Sequence, residues 1–214
     1  MRLFLASEAK NPKSMEILEK YVGGFKGKKI GYIPTAANGL SDSGEVPWEH
    51  WKEGGTWKLI NTLGAEVDTI ILEDHLNLNL PKRLADKDII WVAGGAAGYL
   101  MYWMRRARLD KYLPEILDDK KIYVGSSAGS IVTARTLDIV EWDISDNETG
   151  ASFIPGMDWV DFDIWPHYED SMYEEIKKRY KGEKLYLLKN GEAIVWEDGK
   201  VEVKGETRII EKAN

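Results

Sequence analysis

The sequence predicts an α/β fold in which helices cover both faces of a mostly parallel central sheet, giving three layers. Short apolar runs alternate with helix-like segments along the N-terminal part of the chain. Strands that are separated by helices usually run in the same direction, so this alternation indicates a parallel sheet. The run at residues 89–93 is apolar throughout, as expected for a strand buried on both faces. Asp198-Gly199, between two short strand-like runs, predicts a C-terminal β-hairpin.

The first two elements are a strand at residues 3–6 and the helix that follows it. Asn11 is the expected N-cap, Pro12 occupies the first helical position, and Gly23-Gly24 ends the helix. The apolar positions of this helix share one face: Met15, Leu18 and Val22.

The next elements continue the alternation. Residues 29–34 predict a second strand that ends in a loop, and residues 48–63 predict a helix that Gly54-Gly55 weakens. Further strands are expected at residues 67–72, 89–93 and 122–124, with helices at 99–108 and 109–117.

The C-terminal part contains shorter elements. The pattern predicts a strand at residues 162–165, a helix at 171–180 and strands at 185–188, 193–197 and 200–203. The sequence contains no repeat, linker or low-complexity tract, so residues 1–214 are expected to form a single domain.

Composition excludes several classes of function. The chain of 214 residues has no cysteine, which excludes disulfides, thiolate nucleophiles and cysteine-based zinc sites. Its formal net charge of -7 argues against a nucleic-acid partner. The sequence has neither a signal-peptide pattern nor an apolar run of the roughly 20 residues needed to span a bilayer. We therefore expect a cytoplasmic protein without a membrane partner.

The most informative motif is Gly125-Ser126-Ser127-Ala128-Gly129, which lies between the strand at residues 122–124 and a helix-like run at 130–134. A Gly-x-Ser-x-Gly turn from strand to helix is typical of a nucleophile elbow, in which the serine hydroxyl is exposed. The N–H of the next residue, Ala128, would point to a developing oxyanion. The structural alternative is a small-residue turn without chemistry.

A nucleophilic serine requires a base, and the chain has three histidines. His75 lies in a polar connection, which favours a solvated loop residue. His50 lies among tryptophans, where either packing or contact with the rim of a site would explain it. His167 follows Pro166 at the end of a predicted strand, so we expect it at the C-terminal edge of the sheet and take it as the candidate base for Ser127.

A second oxyanion donor can come from Ala93-Gly94-Gly95-Ala96, directly after the strand at residues 89–93. Glycine at a strand end permits close backbone approach to a ligand. The structural alternative is a simple turn between strand and helix.

Four motifs in this order carry a family resemblance: Gly94-Gly95, Gly125-Ser126-Ser127-Ala128-Gly129, Pro166-His167-Tyr168 and Asn190-Gly191-Glu192-Ala193-Ile194. Together they resemble the peptidase E (aspartyl dipeptidase) family of serine peptidases, to which cyanophycinases are more distantly related. The resemblance covers most of the chain. It implies an α/β fold related to class I glutamine amidotransferases, a Ser-His-acid triad, and no metal or other cofactor.

By this resemblance Ser127 is the nucleophile, His167 is the general base, and the N–H groups of Gly95 and Ala128 form the oxyanion hole. The implied activity is that of a serine exopeptidase acting on small peptides, with Asp-X dipeptides as one candidate substrate. The alternatives are an esterase or amidase on the same scaffold, or a catalytically weak relative that binds an acidic peptide or metabolite. We expect a monomer or a homodimer.

The chain departs from the family pattern at the position of the triad acid. That position holds Asn190, and Glu192 lies two residues further on. Side chains alternate along a strand, so these two residues would share a face and either can be the third member. Ala96 also replaces the asparagine that usually follows the glycine pair. The segment after His167 lacks the family's arginine-containing pattern, which leaves specificity for aspartate open.

Three further sets of residues have both a functional and a structural interpretation. Arg135 is a candidate for binding an acidic substrate group, or an ordinary surface arginine. Asp138 and Asp143 are possible site acids, or part of a polar surface loop. The indoles of the tryptophan cluster cover the site or pack a helix: Trp48, Trp51 and Trp57.

Overall fold

The main sheet has the order β3-β2-β4-β5-β1-β8-β9 in the computed structural model, which describes residues 1–42, 49–117, 120–142 and 148–212. Five of its strands are parallel: β1 (Arg2–Ala6), β2 (Lys29–Ile33), β3 (Glu66–Thr69), β4 (Ile89–Val92) and β5 (Ile122–Ser126). The last two are antiparallel: β8 (Ala193–Glu197) pairs with β1, and β9 (Lys200–Lys204) with β8. The predicted mostly parallel sheet and C-terminal hairpin are confirmed.

A second sheet has the order β10-β7-β6 and consists of β6 (Asp163–Trp165), β7 (Lys184–Leu187) and β10 (Ile209–Glu211). β6 is parallel to β7, and β10 is antiparallel to it. The sequence predicts that the strand before His167 belongs to the central sheet. This prediction is wrong, because β6 lies in the smaller sheet. Local pattern cannot show which sheet a three-residue strand joins.

The α-helices among the described residues are α1 (Pro12–Val22), α2 (Thr35–Asp42), α3 (Gly55–Ile60), α4 (Leu80–Ala85), α5 (Ala97–Arg106), α6 (Leu109–Ile116), α7 (Ala128–Ile131), α8 (Asp138–Glu141) and α9 (Tyr173–Arg179). Short 3₁₀ helices occur at His50–Glu53, Leu72–Asn77, Ala151–Phe153 and Asp170–Met172. None of these helices is long and apolar enough to cross a membrane.

The central sheet separates two hydrophobic cores, which confirms the three-layer arrangement. Along β1, Leu3 and Leu5 face one core, whereas Phe4 and Ala6 face the other. Helices α5 and α6 and the second sheet cover the first core, and α1 and α3 cover the second. Because β1 has neighbours on both edges and cores on both faces, the end of this strand is fixed in place.

Helix α1 has the predicted boundaries because its ends carry specific caps. The side chain of Asn11 accepts a hydrogen bond from the N–H of Lys13 at 3.0 Å, and Pro12 occupies the first turn. Gly23 has a φ of 72° and closes the last turn.

Two predictions between β2 and β3 differ from the structure. Residues 35–42 form α2 instead of a loop. Gly39 lets this helix pack closely against the start of α5, since a Cβ there would lie 2.6 Å from the Cβ of Ala96 and 2.9 Å from that of Tyr99. The helix expected at 48–63 is two shorter elements, since Gly54 is extended with φ −73° and ψ 152°. Trp48 lies outside the described residues.

Candidate active site

Ser127 lies on a sharp turn between β5 and α7. Its φ of 49° and ψ of −111° are unusual for a residue with a side chain, so this turn carries backbone strain. The N–H of Ser127 and the hydroxyl of Ser130 both donate to the carbonyl of Ala6, at 3.0 Å and 2.8 Å. The end of β1 therefore holds the turn in its strained conformation.

The two glycines of the Gly-x-Ser-x-Gly pattern are required by steric contact. A Cβ on Gly125 would lie 2.5 Å from the carbonyl oxygen of Gly129, and a Cβ on Gly129 would lie 2.5 Å from that of Val92. A side chain at either position would therefore displace backbone atoms, which cannot move aside as the end of a flexible side chain can. The pattern thus reflects close backbone packing around Ser127.

The imidazole of His167 connects Ser127 to Asn190. Its Nε2 lies 3.0 Å from the Oγ of Ser127, and its Nδ1 lies 2.6 Å from the Oδ1 of Asn190. The second sheet creates this arrangement, because parallel pairing of Trp165 with Leu187 brings the chain after β6 beside the chain after β7. His167 has a positive φ of 54°, so both the serine and the histidine occupy strained backbone positions.

Asn190, and not Glu192, contacts the imidazole. The Glu192 carboxylate accepts hydrogen bonds from Arg208 at 2.8 Å, from the N–H of Lys189 at 2.9 Å and from the N–H of Glu206 at 3.1 Å. Residues 190–192 precede β8 in a turn where Gly191 has a φ of 95°, so the strand alternation used above does not apply. Glu192 thus stabilises the turn that presents Asn190.

Ser7 is a member of this cluster that the sequence analysis missed. Its hydroxyl oxygen accepts a hydrogen bond from the N–H of His167 at 2.8 Å and donates to the Oδ1 of Asn190 at 3.1 Å. The residue is fully buried and directly follows β1. A polar residue directly after a strand is a weak indication of a site at the edge of a sheet. Local pattern does not show that β1 lies between β5 and β8, which is what places Ser7 beside His167 and Asn190.

The two predicted oxyanion donors flank Ser127. Ala128 directly follows it, and Gly94-Gly95 approaches it so closely that a Cβ on Gly94 would lie 3.1 Å from the Cβ of Ser127. Gly95 has a φ of 139°, and a Cβ there would lie 2.2 Å from the carbonyl oxygen of Ala36. Within the described part of the chain, the N–H groups of Gly95 and Ala128 have no hydrogen-bond acceptor. Both donors are therefore available to a ligand.

A cavity of about 270 Å³ opens beside Ser127 and His167. The Nζ of Lys10 lies 3.4 Å from the Oε1 of Glu8 on its wall. Other lining residues include Tyr32, His50, Trp51, Thr56 and Gly95. The cavity lies at the carboxyl ends of the parallel strands, where α/β sheets usually bind ligands.

The remaining candidates lie elsewhere or at the rim. His50 lines the cavity, whereas His75 donates through Nδ1 to the carbonyl of Leu72 at 3.2 Å and packs against Trp103. Arg135 lies on a different surface, in a groove of about 410 Å³ that contains neither Ser127 nor His167.

The candidate site acid Asp138 lies on the surface, and two of the tryptophans pack on a core tyrosine. Asp138 is the exposed first residue of α8, and Asp143 lies outside the described residues. Trp51 and Trp57 pack around Tyr32, with ring centroids 6.2 Å and 6.0 Å from it. Because Trp51 also lines the cavity, it has both of the roles considered for the cluster.

Comparison with known proteins places this chain among peptidases. Residues 3–204 match the model of a family described as peptidase family S51. An uncharacterized peptidase of Listeria monocytogenes is 27% identical over 198 residues, covering 90% of this chain and 92% of that protein. An uncharacterized peptidase of Pasteurella multocida is 24% identical over 179 residues, covering 83% and 82% of the two chains.

Two solved structures share the fold over nearly the whole chain. A Listeria monocytogenes protein described as a candidate peptidase E matches with a TM-score of 0.74 at 24% identity, covering 99% of this chain and 98% of its own. A peptidase from an acI-B1 actinobacterium matches with a TM-score of 0.65 at 18% identity, covering 98% and 89%. The arrangement of sheets described above is therefore shared with these proteins.

Proposed function

Because the chain belongs to peptidase family S51 and is thus a serine peptidase, we propose that it hydrolyses small peptides through Ser127, His167 and Asn190. One observation carries this proposal: the imidazole lies between the Ser127 hydroxyl at 3.0 Å and the Asn190 amide oxygen at 2.6 Å. A hydroxyl, an imidazole and an oxygen acceptor in this order form the arrangement that activates a serine nucleophile.

In the proposed reaction, the turn at Ser127 acts as a nucleophile elbow. His167 takes the hydroxyl proton at Nε2 while the Oγ attacks the peptide carbonyl carbon. The N–H groups of Gly95 and Ala128 stabilise the negative oxygen of the tetrahedral intermediate. His167 then protonates the leaving amine, and the same steps with water release the acid from the acyl-enzyme.

Asn190 orients the imidazole in this mechanism without adding charge. Its amide oxygen accepts from Nδ1–H, which leaves the lone pair of Nε2 directed at Ser127. A carboxylate would also stabilise the imidazolium that forms during attack, and an amide does so less. We therefore propose an active but moderately efficient enzyme.

The cavity supports a small substrate. Its volume of about 270 Å³ lies just below the usual range for ligand pockets, roughly 300–1,000 Å³. Lys10 and Glu8 on its wall offer partners for a carboxylate and an ammonium group of a short peptide. Asp-X dipeptides meet this requirement, and we propose them as first candidates for a cytoplasmic dipeptidase that acts as a monomer or homodimer.

A second candidate function is a catalytically weak relative that binds an acidic peptide or metabolite. The amide at Asn190 favours it, because this residue replaces the acid that the mechanism normally uses.

A substrate panel tests the proposed function. Purified protein is assayed against Asp-X and other dipeptides, and against short acyl esters, with Ser127→Ala as the control. We expect dipeptide cleavage that the variant lacks. Ester cleavage alone would indicate an esterase, and no turnover of either class would favour the binding function.

A further inference from the structure

We infer that Ser7 is a positioning residue whose hydroxyl orients the Asn190 amide and thereby selects the tautomer of His167. The inference rests on the proposed function, because it concerns how that site directs a lone pair at Ser127. It begins from two hydrogen bonds of the fully buried Ser7 side chain and from the contact between His167 and Asn190, and it extends the site to the end of β1.

The direction of each hydrogen bond follows from a backbone donor. The N–H of His167 can only donate, so the Ser7 oxygen that lies 2.8 Å from it is the acceptor. The Ser7 hydroxyl hydrogen is then available for its other neighbour, the Oδ1 of Asn190 at 3.1 Å. Because Ser7 has no exposed surface, water does not compete for this hydrogen.

The orientation of the amide then decides which imidazole nitrogen carries the proton. With Oδ1 facing both Ser7 and His167, Nδ1 must be the donor and Nε2 keeps its lone pair for Ser127. If the amide were turned over, its NH₂ group would face Nδ1. The imidazole would then carry its hydrogen on Nε2 and could not accept the serine proton.

This requirement is specific to an asparagine. The two oxygens of a carboxylate are equivalent, so an aspartate would present an acceptor to Nδ1 in either orientation. An amide at this position instead needs a neighbour that distinguishes its oxygen from its nitrogen. Ser7 meets that need because Oδ1 of Asn190 is the acceptor of its hydroxyl hydrogen among the described residues. If the amide were turned over, that buried hydrogen would lose its acceptor.

A double-mutant cycle separates positioning from a merely structural role. The rate of Ser127 inactivation by a fluorophosphonate is measured in wild type, Ser7→Ala, Asn190→Asp and the double variant. We expect Ser7→Ala to lower the limiting inactivation rate at least tenfold without changing the probe concentration for half-saturation. In the Asn190→Asp background we expect Ser7→Ala to lower the limiting inactivation rate less than threefold. An equal loss in both backgrounds would overturn the inference.

Ser14→Ala is the matched control. Ser14 is also a fully buried serine, and its hydroxyl has no hydrogen-bond partner within the described chain. We expect this variant to react at the wild-type rate. Loss of rate in Ser14→Ala equal to that in Ser7→Ala would attribute the effect to buried serines in general and contradict the inference.

The tautomer can be read directly in wild-type protein, whether or not Ser7→Ala folds. In ¹⁵N spectra of the histidine rings at alkaline pH, assigned with His50→Gln and His75→Gln, we expect His167 to carry its hydrogen on Nδ1. A hydrogen on Nε2 in wild type would overturn the inference. Failure of the fluorophosphonate to label wild type would instead count against the proposed function, because the tautomer measurement does not depend on reactivity.

Discussion

At the residue scale, the proposed reaction predicts that the amide at Asn190 stabilises the imidazolium of His167 less than a carboxylate would. The Asn190→Asp variant would place a carboxylate beside the imidazole at the position where the amide oxygen now lies 2.6 Å away. We expect a fluorophosphonate to modify Ser127 at least about tenfold faster, because a carboxylate stabilises the imidazolium formed during attack. Stopped-flow or progress-curve measurements with a fluorophosphonate check this. An unchanged or slower rate would show that charge at this position does not limit the reaction.

Glu192 provides a contrast two residues away. Its carboxylate pairs with Arg208 and two backbone N–H groups, and both side chains are largely buried. We expect Glu192→Gln to lower the free energy of unfolding by about 1–3 kcal/mol, since hydrogen bonds to a charged group are lost. The rate at which a fluorophosphonate modifies Ser127 in the folded protein should stay within about twofold of wild type, because the Glu192 carboxylate does not contact His167. A loss of rate of about tenfold or more would assign Glu192 to the reaction.

At the element scale, the strand-turn-helix unit around Ser127 depends on its two glycines. We expect Gly129→Ala to lower the free energy of unfolding by about 1–3 kcal/mol, because the added Cβ would lie 2.5 Å from the carbonyl oxygen of Val92. Gly55→Ala is a suitable control, since its Cβ would meet only the side chain of Lys10, at 3.6 Å. Urea unfolding measures the free energy of unfolding of both variants. Equal stability of the two variants would contradict the steric account of the pattern.

The elements also show why some of the structure could be predicted and some could not. Helix α1 was predictable because its signals are local: Asn11 caps it, Pro12 starts it and Gly23 ends it. Helix α2 was not predicted, and its close packing through Gly39 against the start of α5 involves a segment that is distant in sequence. The motifs predicted the contact between Ser127 and His167, whereas Ser7 carries no motif and acquires its place through the pairing of β1 with both β5 and β8.

The junction of the two sheets explains why the position of His167 differs from the prediction. We predicted that His167 would extend from the central sheet, but β6 pairs with β7 in the second sheet. Asn190 and not Glu192 contacts the imidazole because Gly191 turns the chain between them and because Arg208 holds the Glu192 carboxylate. Strand pairing between distant segments is not encoded in the local periodicity of either strand.

At the scale of the whole molecule, stability should depend on pH through Asp163, which begins β6. Burial raises the pKa of the Asp163 carboxyl above its ordinary value of 3.8, although Tyr180 donates a hydrogen bond to it at 2.7 Å. A raised pKa in the folded state means that this group's stabilising contribution is greatest below pH 3.8 and is lost as the pH rises through the folded-state pKa.

Replacement of Asp163 by asparagine removes this titration. We expect the stability of Asp163→Asn relative to wild type to be greater at pH 7 than at pH 4, because only the wild type must ionise a partly buried carboxyl as the pH rises. Urea unfolding of both proteins at the two pH values measures the difference. A relative stability that is constant, or that falls with pH, would contradict the desolvation account.

The central claim is that the two sheets together produce one activated nucleophile at Ser127. The most direct test is reaction with a fluorophosphonate, followed by mass spectrometry of the peptides, in wild type, Ser127→Ala and His167→Ala. We predict an adduct on Ser127 in wild type and no adduct at that position in Ser127→Ala. In His167→Ala we predict labelling slower by about 10²-fold or more, because the serine has lost its base. An unlabelled wild type, or equal labelling in His167→Ala, would contradict the claim.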